Sequence, residues 1–192
     1  MDRLELHALA LVTFTQALAR TGDAALDTPT CCPGWDVRAL IEHVIDGNRR
    51  VQVRGGRAPL PADPPSGDAS IAVLAGHVLM SGGGAHDVFA EPGGLTRRYP
   101  LPVGEVSGEV FAELRCLDLL THAWDLGDAI GRVVEVAADV AESALAAAHR
   151  VVTPALRQPG VFGEAQPCDP GRPSLDRLAA FLGRDVDGAG AR

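Results

Sequence analysis

The 192-residue chain, with 46% hydrophobic and 22% charged residues, has the length and composition of one globular domain. Its net charge of −8 disfavours nucleic-acid binding, and the absence of lysine among its 17 basic residues excludes Schiff-base and phosphate-loop chemistry. No apolar run reaches the ~20 residues that span a bilayer, and the acidic N-terminal stretch is unlike a signal peptide, so a cytoplasmic location away from membranes is expected.

Apolar residues recur at helical spacing along most of the chain, and glycines and prolines separate the helical stretches. The predicted helices cover residues 2–20, 35–50, 69–80, 106–130 and 136–152, with a short last helix at 175–183. A continuation of the third helix through the glycine run to Phe89 is left open as an alternative. Residues 55–68 are too rich in glycine and proline for regular structure and are interpreted as a long crossover loop. The Gly82–Gly84 run is interpreted as a helix break, because a phosphate-binding loop would need GxGxxG spacing after a strand.

This pattern predicts an all-α fold: a four-helix bundle with a long crossover loop and additional C-terminal helices. A short extended segment at 95–101 allows a hairpin but no larger sheet. Residues 1–184 are expected to form a single domain and residues 185–192 a frayed tail. Trp35 and Trp124 are expected to lie substantially buried in the bundle.

The stretch RCLDLLTHAWDLGDAIG, residues 115–131, places charged groups inside an otherwise apolar helix. Asp118 and His122 are four residues apart, so their side chains leave the same helix face one turn apart. A carboxylate and an imidazole at this spacing can bind one divalent cation, such as zinc, nickel, iron or manganese. Alone the spacing is a weak signal, since such pairs also occur on solvated helix surfaces.

The second predicted helix supplies another donor, His43, in the apolar run CCPGWDVRALIEHVID. A single histidine in such a run is more often a core residue than a ligand. Together with Asp118 and His122, however, it completes two histidines and one carboxylate, a set that leaves open the coordination positions a catalytic metal needs. Asp46 and Asp125 lie one helical turn beyond the two histidines and are expected to accept their second ring N–H groups.

The segments TPTCCPGWDVRALIEHV, DLLTHAWDL and RLAAFLGRD together resemble the DinB-like helical metalloproteins. Among these, the chain is most similar to the actinobacterial branch related to mycothiol-dependent maleylpyruvate isomerase. The resemblance spans nearly the whole chain, and it implies a four-helix bundle that binds one divalent metal ion through His43, Asp118 and His122. Two features depart from the isomerase, which has a glutamate at the position of Asp118 and a second, C-terminal domain.

The resemblance implies a metal-dependent thiol transferase or isomerase that uses mycothiol or a similar low-molecular-weight thiol. The expected nucleophile is the cofactor's thiol, activated by the metal ion, most simply zinc or else nickel. The expected partners are therefore this small-molecule thiol and an electrophilic substrate. A second hypothesis is a non-catalytic metal-binding bundle that acts in stress or regulation through a protein partner.

The other arginines, cysteines and histidines are not expected to take part in the metal site. Arg49, Arg50 and Arg115 could anchor an anionic cofactor, but a solvated surface position is expected for each. Cys31 and Cys32 form no CxxC motif and are interpreted as packed or surface thiols. The other histidines are expected to be structural or exposed; they are His7, His77, His86 and His149. The apolar face of the fifth helix suits either a homodimer contact or the bundle core.

Overall fold

The first two helices begin at aspartate side chains that cap free backbone N–H groups. In the computed structural model, which describes residues 1–102, 104–158 and 160–188, Asp2 accepts a hydrogen bond from the backbone N–H of Glu5 at 2.8 Å. Asp36 caps the second helix in the same way through Ala39, also at 2.8 Å. Such caps satisfy donors that no residue within the helix can reach.

The helices are, in chain order, α1 (Arg3–Leu18), α2 (Val37–Arg54), α3 (Ile71–Ala90), α4 (Gly108–Ala129), α5 (Ala138–Val151) and α6 (Ser174–Phe181). An antiparallel hairpin of β1 (Arg98–Leu101) and β2 (Gly104–Ser107) precedes α4. The bundle consists of α1 packed along α4 and α2 packed along α3, while α5 and α6 cover α4 and each other. The predicted all-α bundle with C-terminal helices is therefore confirmed, and the described residues contain no sheet beyond this hairpin.

The predicted helix break at Gly82–Gly84 is wrong and the alternative of a continuous third helix is confirmed, because α3 runs without interruption from Ile71 to Ala90. A Cβ atom on Gly82 would lie 2.5 Å from the side chain of Leu11, and one on Gly84 would lie 2.6 Å from that of Gln52. These two glycines therefore let α3 approach α1 and α2 closely. The helix retains them because packing compensates for their low helix propensity.

The loop between α2 and α3 is fastened to α2 by side-chain hydrogen bonds. Arg49 donates to the carbonyl oxygens of Pro61 and Ala62, and buried Gln52 binds both backbone polar groups of Leu60. Arg49 is thus a loop anchor in the structure. None of the described helices is both long and apolar enough to cross a membrane.

The C-terminal region packs more closely than the sequence predicts. Residues 189–192 of the predicted frayed tail lie outside the described residues, but Val186 is only 3% exposed and Asp187 pairs with Arg172 at 2.6 Å. The apolar face of α5 packs on the main core, which is the alternative to a dimer contact, and the homodimer stays a prediction. Trp124 is buried as expected, whereas Trp35 is half-buried.

Candidate metal centre

Helices α2 and α4 bring the three predicted ligands together. The Nε2 atom of His43 lies 3.3 Å from Oδ1 of Asp118, and the Nε2 atom of His122 lies 3.6 Å from the same oxygen. One donor atom from each residue lies within 4.8 Å of the other two. Two nitrogens and one oxygen arranged in this way form a donor set that suits zinc and related divalent ions. That they bind a metal ion stays a prediction.

The centre is partly open to solvent. The side chains of His43 and Asp118 are 26% and 22% exposed, while that of His122 is 8% exposed. The Trp35 ring forms one wall, with its centroid 4.7 Å from the ring of His43 and 5.8 Å from that of His122. Because the α4 residues around His122 are buried, an incoming small molecule would approach from the side of His43 and Asp118.

Arg115 holds the second oxygen of Asp118. Its Nη1 donates to Oδ2 of Asp118 at 2.9 Å, and its Nη2 donates to Oδ1 of Asn48 at 2.9 Å. The surface position expected for Arg115 is wrong, since the residue is 6% exposed. Gly47 explains how α2 accommodates the guanidinium group, because a Cβ there would lie 2.3 Å from Nη1.

The charge on Asp118 is stabilised in spite of its surroundings. Burial opposes ionisation, but the charges of Arg115 and His122 and the hydrogen bond from His43 hold the pKa of this carboxyl well below its usual range. Asp118 is therefore a carboxylate at neutral pH. One of its oxygens is engaged by Arg115 and the other faces the two histidines.

His122 is oriented by Asp125, as the helix spacing predicts. The Nδ1 atom of His122 lies 2.9 Å from Oδ2 of Asp125, which leaves Nε2 facing Asp118. Burial lowers the pKa of His122, but the charge of Asp118 and the hydrogen bond to Asp125 outweigh it and raise the pKa to about 10. The negative charges of Asp118 and Asp125 can be compensated either by a proton on His122 or by a cation bound between the ligands. The residues present thus fit a divalent ion.

Asp46 does not take the position predicted for it. Its carboxylate lies on the exposed side of α2 and accepts a hydrogen bond from Nη2 of Arg50 at 3.3 Å. Within the described part of the chain, no hydrogen bond or ion pair joins Asp46 to His43. Arg50 is correspondingly a surface residue, as expected.

Sequence reasoning missed three residues around Asp125: Cys31, Cys32 and Arg184. Arg184 donates to both oxygens of Asp125, at 2.9 Å from Nε and 2.7 Å from Nη2. The thiols of Cys31 and Cys32 lie 3.0 Å and 3.4 Å from Oδ1 and Oδ2 of the same carboxylate. Asp125 is fully buried, and burial opposes its ionisation, but Arg184 and His122 hold its pKa below the usual range.

The two cysteines differ in their surroundings. A hydrogen bond from Cys31, together with contact to His122, lowers the pKa of Cys32 to about 6, although burial opposes the shift. The hydrogen bond to Cys32, burial and the charge of Asp125 raise the pKa of Cys31 above its usual range. The Pro33-Gly34 pair is the one local sequence signal that these thiols have a fixed orientation.

The remaining histidines belong to other environments. His7 is buried and lies next to His86, with their Nδ1 atoms 3.4 Å apart. His149 packs on the ring of Phe181 with a centroid distance of 4.2 Å. Neither of the two possible ligand clusters among the described residues contains these histidines or His77.

Comparisons with known proteins place this geometry in context. The chain matches the profile of the mycothiol maleylpyruvate isomerase N-terminal domain over residues 7–127. Two uncharacterized proteins from two strains of Mycobacterium tuberculosis are 42% identical to it over 187 residues, which is 97% of this chain and 100% of each relative. The matched region includes α2 and most of α4, the two helices that carry the candidate ligands.

A solved structure shares the fold. It is the crystal structure of a histidine-to-alanine mutant of the mycothiol-dependent maleylpyruvate isomerase, with a TM-score of 0.59 and 18% sequence identity. The similarity covers 75% of this chain and 66% of the isomerase chain, so this chain spans slightly less than two thirds of that protein.

Proposed function

Because the chain belongs to the mycothiol maleylpyruvate isomerase N-terminal domain family, we propose that it is a metal-dependent thiol transferase or isomerase. In this proposal His43, Asp118 and His122 hold one divalent metal ion, with zinc the simplest candidate and nickel the alternative. The cosubstrate is mycothiol or a similar low-molecular-weight thiol, and the second substrate is a small electrophile.

The single observation that carries the proposal is the convergence of three donors at a partly exposed position. Their donor atoms lie within 4.8 Å of one another, and the side chains of His43 and Asp118 remain about a quarter exposed, at 26% and 22%. A structural metal site is usually closed by four protein ligands, whereas a catalytic one keeps a position for substrate. Three protein ligands at a partly exposed position fit a catalytic metal site.

The charges around the site favour an anionic cosubstrate. Among the groups in contact with the three ligands, Asp118 is balanced by Arg115 and Asp125 by Arg184, and the thiol of Cys32, whose pKa is lowered to about 6, adds at most one more negative charge. A divalent ion would therefore leave the site with excess positive charge. In a half-buried site that excess attracts an anion strongly, and a thiolate is an anion with affinity for borderline metals.

The chain's own residues have defined roles in this scheme. Asp125 and Arg184 fix the ring orientation of His122, and Arg115 fixes the carboxylate of Asp118. The Trp35 ring limits the access of water on one side. When bound, the ion would supply a Lewis acid that favours the thiolate form of the cosubstrate. Orientation of the ligands in advance lowers the cost of organising the site during each reaction.

A groove elsewhere on the molecule supports the alternative, non-catalytic hypothesis. It has a volume of about 1040 Å³ and lies between the end of α4, the start of α5 and α6, with Trp124, Arg132, Glu142 and Arg172 in its lining. None of the three candidate ligands lines it. If this groove were the main binding surface, the metal centre would serve structure or regulation.

Metal analysis followed by a thiol-conjugation assay tests the proposal. Purified protein is analysed by elemental mass spectrometry, and then incubated with mycothiol and a panel of small electrophiles while adducts are followed by mass. We expect one bound ion per chain and metal-dependent adduct formation. His122→Ala should lose both, while exposed His149→Ala should keep both. Circular dichroism would show whether each variant retains its helices.

Two results would count against it in different ways. Absence of stoichiometric metal from protein reconstituted with zinc or nickel would overturn the assignment of the three ligands. A bound ion without thiol binding or conjugation would favour the non-catalytic metal-binding bundle.

A further inference from the structure

The loop before α2 turns two neighbouring thiols toward the same side. Cys32 to Trp35 form a β-turn in which the N–H of Trp35 donates to the carbonyl of Cys32 at 3.0 Å. Pro33 is suited to the second turn position, and Gly34, with a φ of 78°, to the third, as in a type II turn. In an extended chain, adjacent side chains point to opposite sides. Here both thiols instead reach the carboxylate of Asp125.

The thiols and this carboxylate form a second compact donor set. Ligand atoms of Cys31, Cys32 and Asp125 all lie within 4.8 Å of one another. Cys31 and Cys32 are half-buried, so an ion from solvent can reach their sulfur atoms, whereas Asp125 is fully buried. The carboxylate is held by Arg184 and His122, which fixes its position relative to both sulfur atoms.

We propose that Cys31, Cys32 and Asp125 bind a second, thiolate-preferring divalent cation of the zinc class. The site goes beyond the proposed function, because it is separate from the histidine centre and differs from it in ligand chemistry. Two thiolates select soft ions such as zinc over calcium or magnesium, which prefer oxygen ligands. Binding forms two metal–sulfur bonds and releases to solvent the protons that the two sulfur atoms still carry.

Charge balance favours a divalent ion. In the loaded site the two thiolates and Asp125 carry three negative charges, and the ion with Arg184 carries three positive charges. The cluster would then be neutral, which suits its burial. Without an ion, two thiolates beside Asp125 would leave excess negative charge, so the sulfur atom of Cys31 stays protonated and donates to the carboxylate.

His122 lies between the two sites and contacts a ligand of each. Its Nδ1 faces Asp125 and its Nε2 faces Asp118, so each site uses a different side of one imidazole ring. A cation bound by Asp125 would withdraw electron density from this carboxylate and make His122 a weaker ligand. Occupation of the cysteine site is therefore expected to weaken metal binding at the histidine site.

Cadmium titration of reduced protein tests the site, since Cd²⁺ is a spectroscopic substitute for Zn²⁺. The protein is kept reduced with a phosphine, and the ultraviolet charge-transfer band of Cd–thiolate bonds is recorded. We expect the band in the wild-type protein and its loss in both Cys31→Ser and Cys32→Ser. The control Cys168→Ser should keep it, because Cys168 lies outside the cluster of Cys31, Cys32 and Asp125, and its thiol donates to the backbone carbonyl of Asp169, at 3.7 Å.

A His43→Ala variant distinguishes this site from the histidine centre. It should lose the ion of the proposed catalytic site and keep the Cd–thiolate band. As a second measurement on wild-type protein, Zn²⁺ should slow the alkylation of Cys31 and Cys32, but not of Cys168, in peptide mass spectra, and Mg²⁺ should have no effect. A missing band in folded, reduced protein, or equal alkylation with and without Zn²⁺, would overturn the proposal whether or not the histidine centre binds metal.

Discussion

Arg184 clamps Asp125 through two hydrogen bonds, from Nε at 2.9 Å and from Nη2 at 2.7 Å, although the two residues are 59 positions apart in the chain. The pair ties the segment after α6 to the C-terminal third of α4. Because Asp125 also orients His122, the C-terminal segment contributes to the geometry of the candidate metal centre. Bidentate pairing of this kind fixes direction as well as distance.

Loss of either partner of this pair should be costly. We expect Arg184→Met to destabilise the protein by about 3 kcal/mol, because a fully buried carboxylate would lose its counter-charge. Asp125→Asn should have a similar effect, because the guanidinium group of Arg184 would then lose its counter-charge. In a double-mutant cycle followed by urea unfolding, the double variant should lose clearly less than the sum of the single losses. Additive losses would show that the pair is not energetically coupled.

Gly47→Ala should disturb the metal centre more than the fold. The new Cβ would lie 2.3 Å from Nη1 of Arg115, which is too close for two non-bonded atoms, so the guanidinium must leave Asp118. Alanine also gains about 1 kcal/mol of helix propensity, which offsets part of the steric cost. Displacement of partners that orient ligands typically costs 10–100-fold in metal affinity, and we expect a loss of about tenfold in a chelator competition assay.

The matched control is Gly76→Ala in α3, where a Cβ meets nothing within 4 Å. It should leave the metal affinity unchanged. Equal affinities for both variants and the wild-type protein would mean that Arg115 has no part in positioning Asp118.

His7 should make the protein less stable in mild acid. Burial, reinforced by the charges of Arg115 and His86, lowers its pKa from 6.5 to about 3. Between these values the unfolded chain binds a proton that the folded protein does not, so stability falls as the pH falls, by up to about 1.4 kcal/mol per pH unit. The contribution is fully present above pH 6.5.

Urea unfolding of metal-free protein between pH 4.5 and 6.5 measures this slope. His7→Gln removes the titrating group and should reduce the dependence of the unfolding free energy on pH. The range lies above the ordinary pKa of aspartate, which limits the contribution of Asp118 and Asp125. An identical slope in the variant would rule out His7 as the source.

Local spacing predicts much of the architecture but not the surroundings of the site. Asp118, His122 and Asp125 lie on one helix, so their shared face follows from helix geometry alone. The partnership of Asp125 with Arg184 and with the Cys31-Cys32 pair depends on tertiary packing that no local pattern encodes. Asp46 shows the limit of the same reasoning, because correct spacing from His43 does not prevent it from pointing into solvent.

Helix propensity alone mispredicts the glycine run of α3, because packing outweighs propensity there. Two substitutions in the run separate the effect of packing from that of propensity. Gly84→Ala would place a Cβ 2.6 Å from the buried carboxamide of Gln52. That group bonds the backbone of Leu60 and Ser81, so its displacement would leave buried polar groups unpaired. We expect a net loss of about 2 kcal/mol in unfolding free energy, after the gain in helix propensity. Gly83→Ala, the preceding residue, meets nothing within 4 Å and should stabilise the protein by up to about 1 kcal/mol. Thermal or urea unfolding of the two variants measures the contrast. If Gly84→Ala were as stable as Gly83→Ala, the close approach of α3 to α2 would not be what requires glycine at this position.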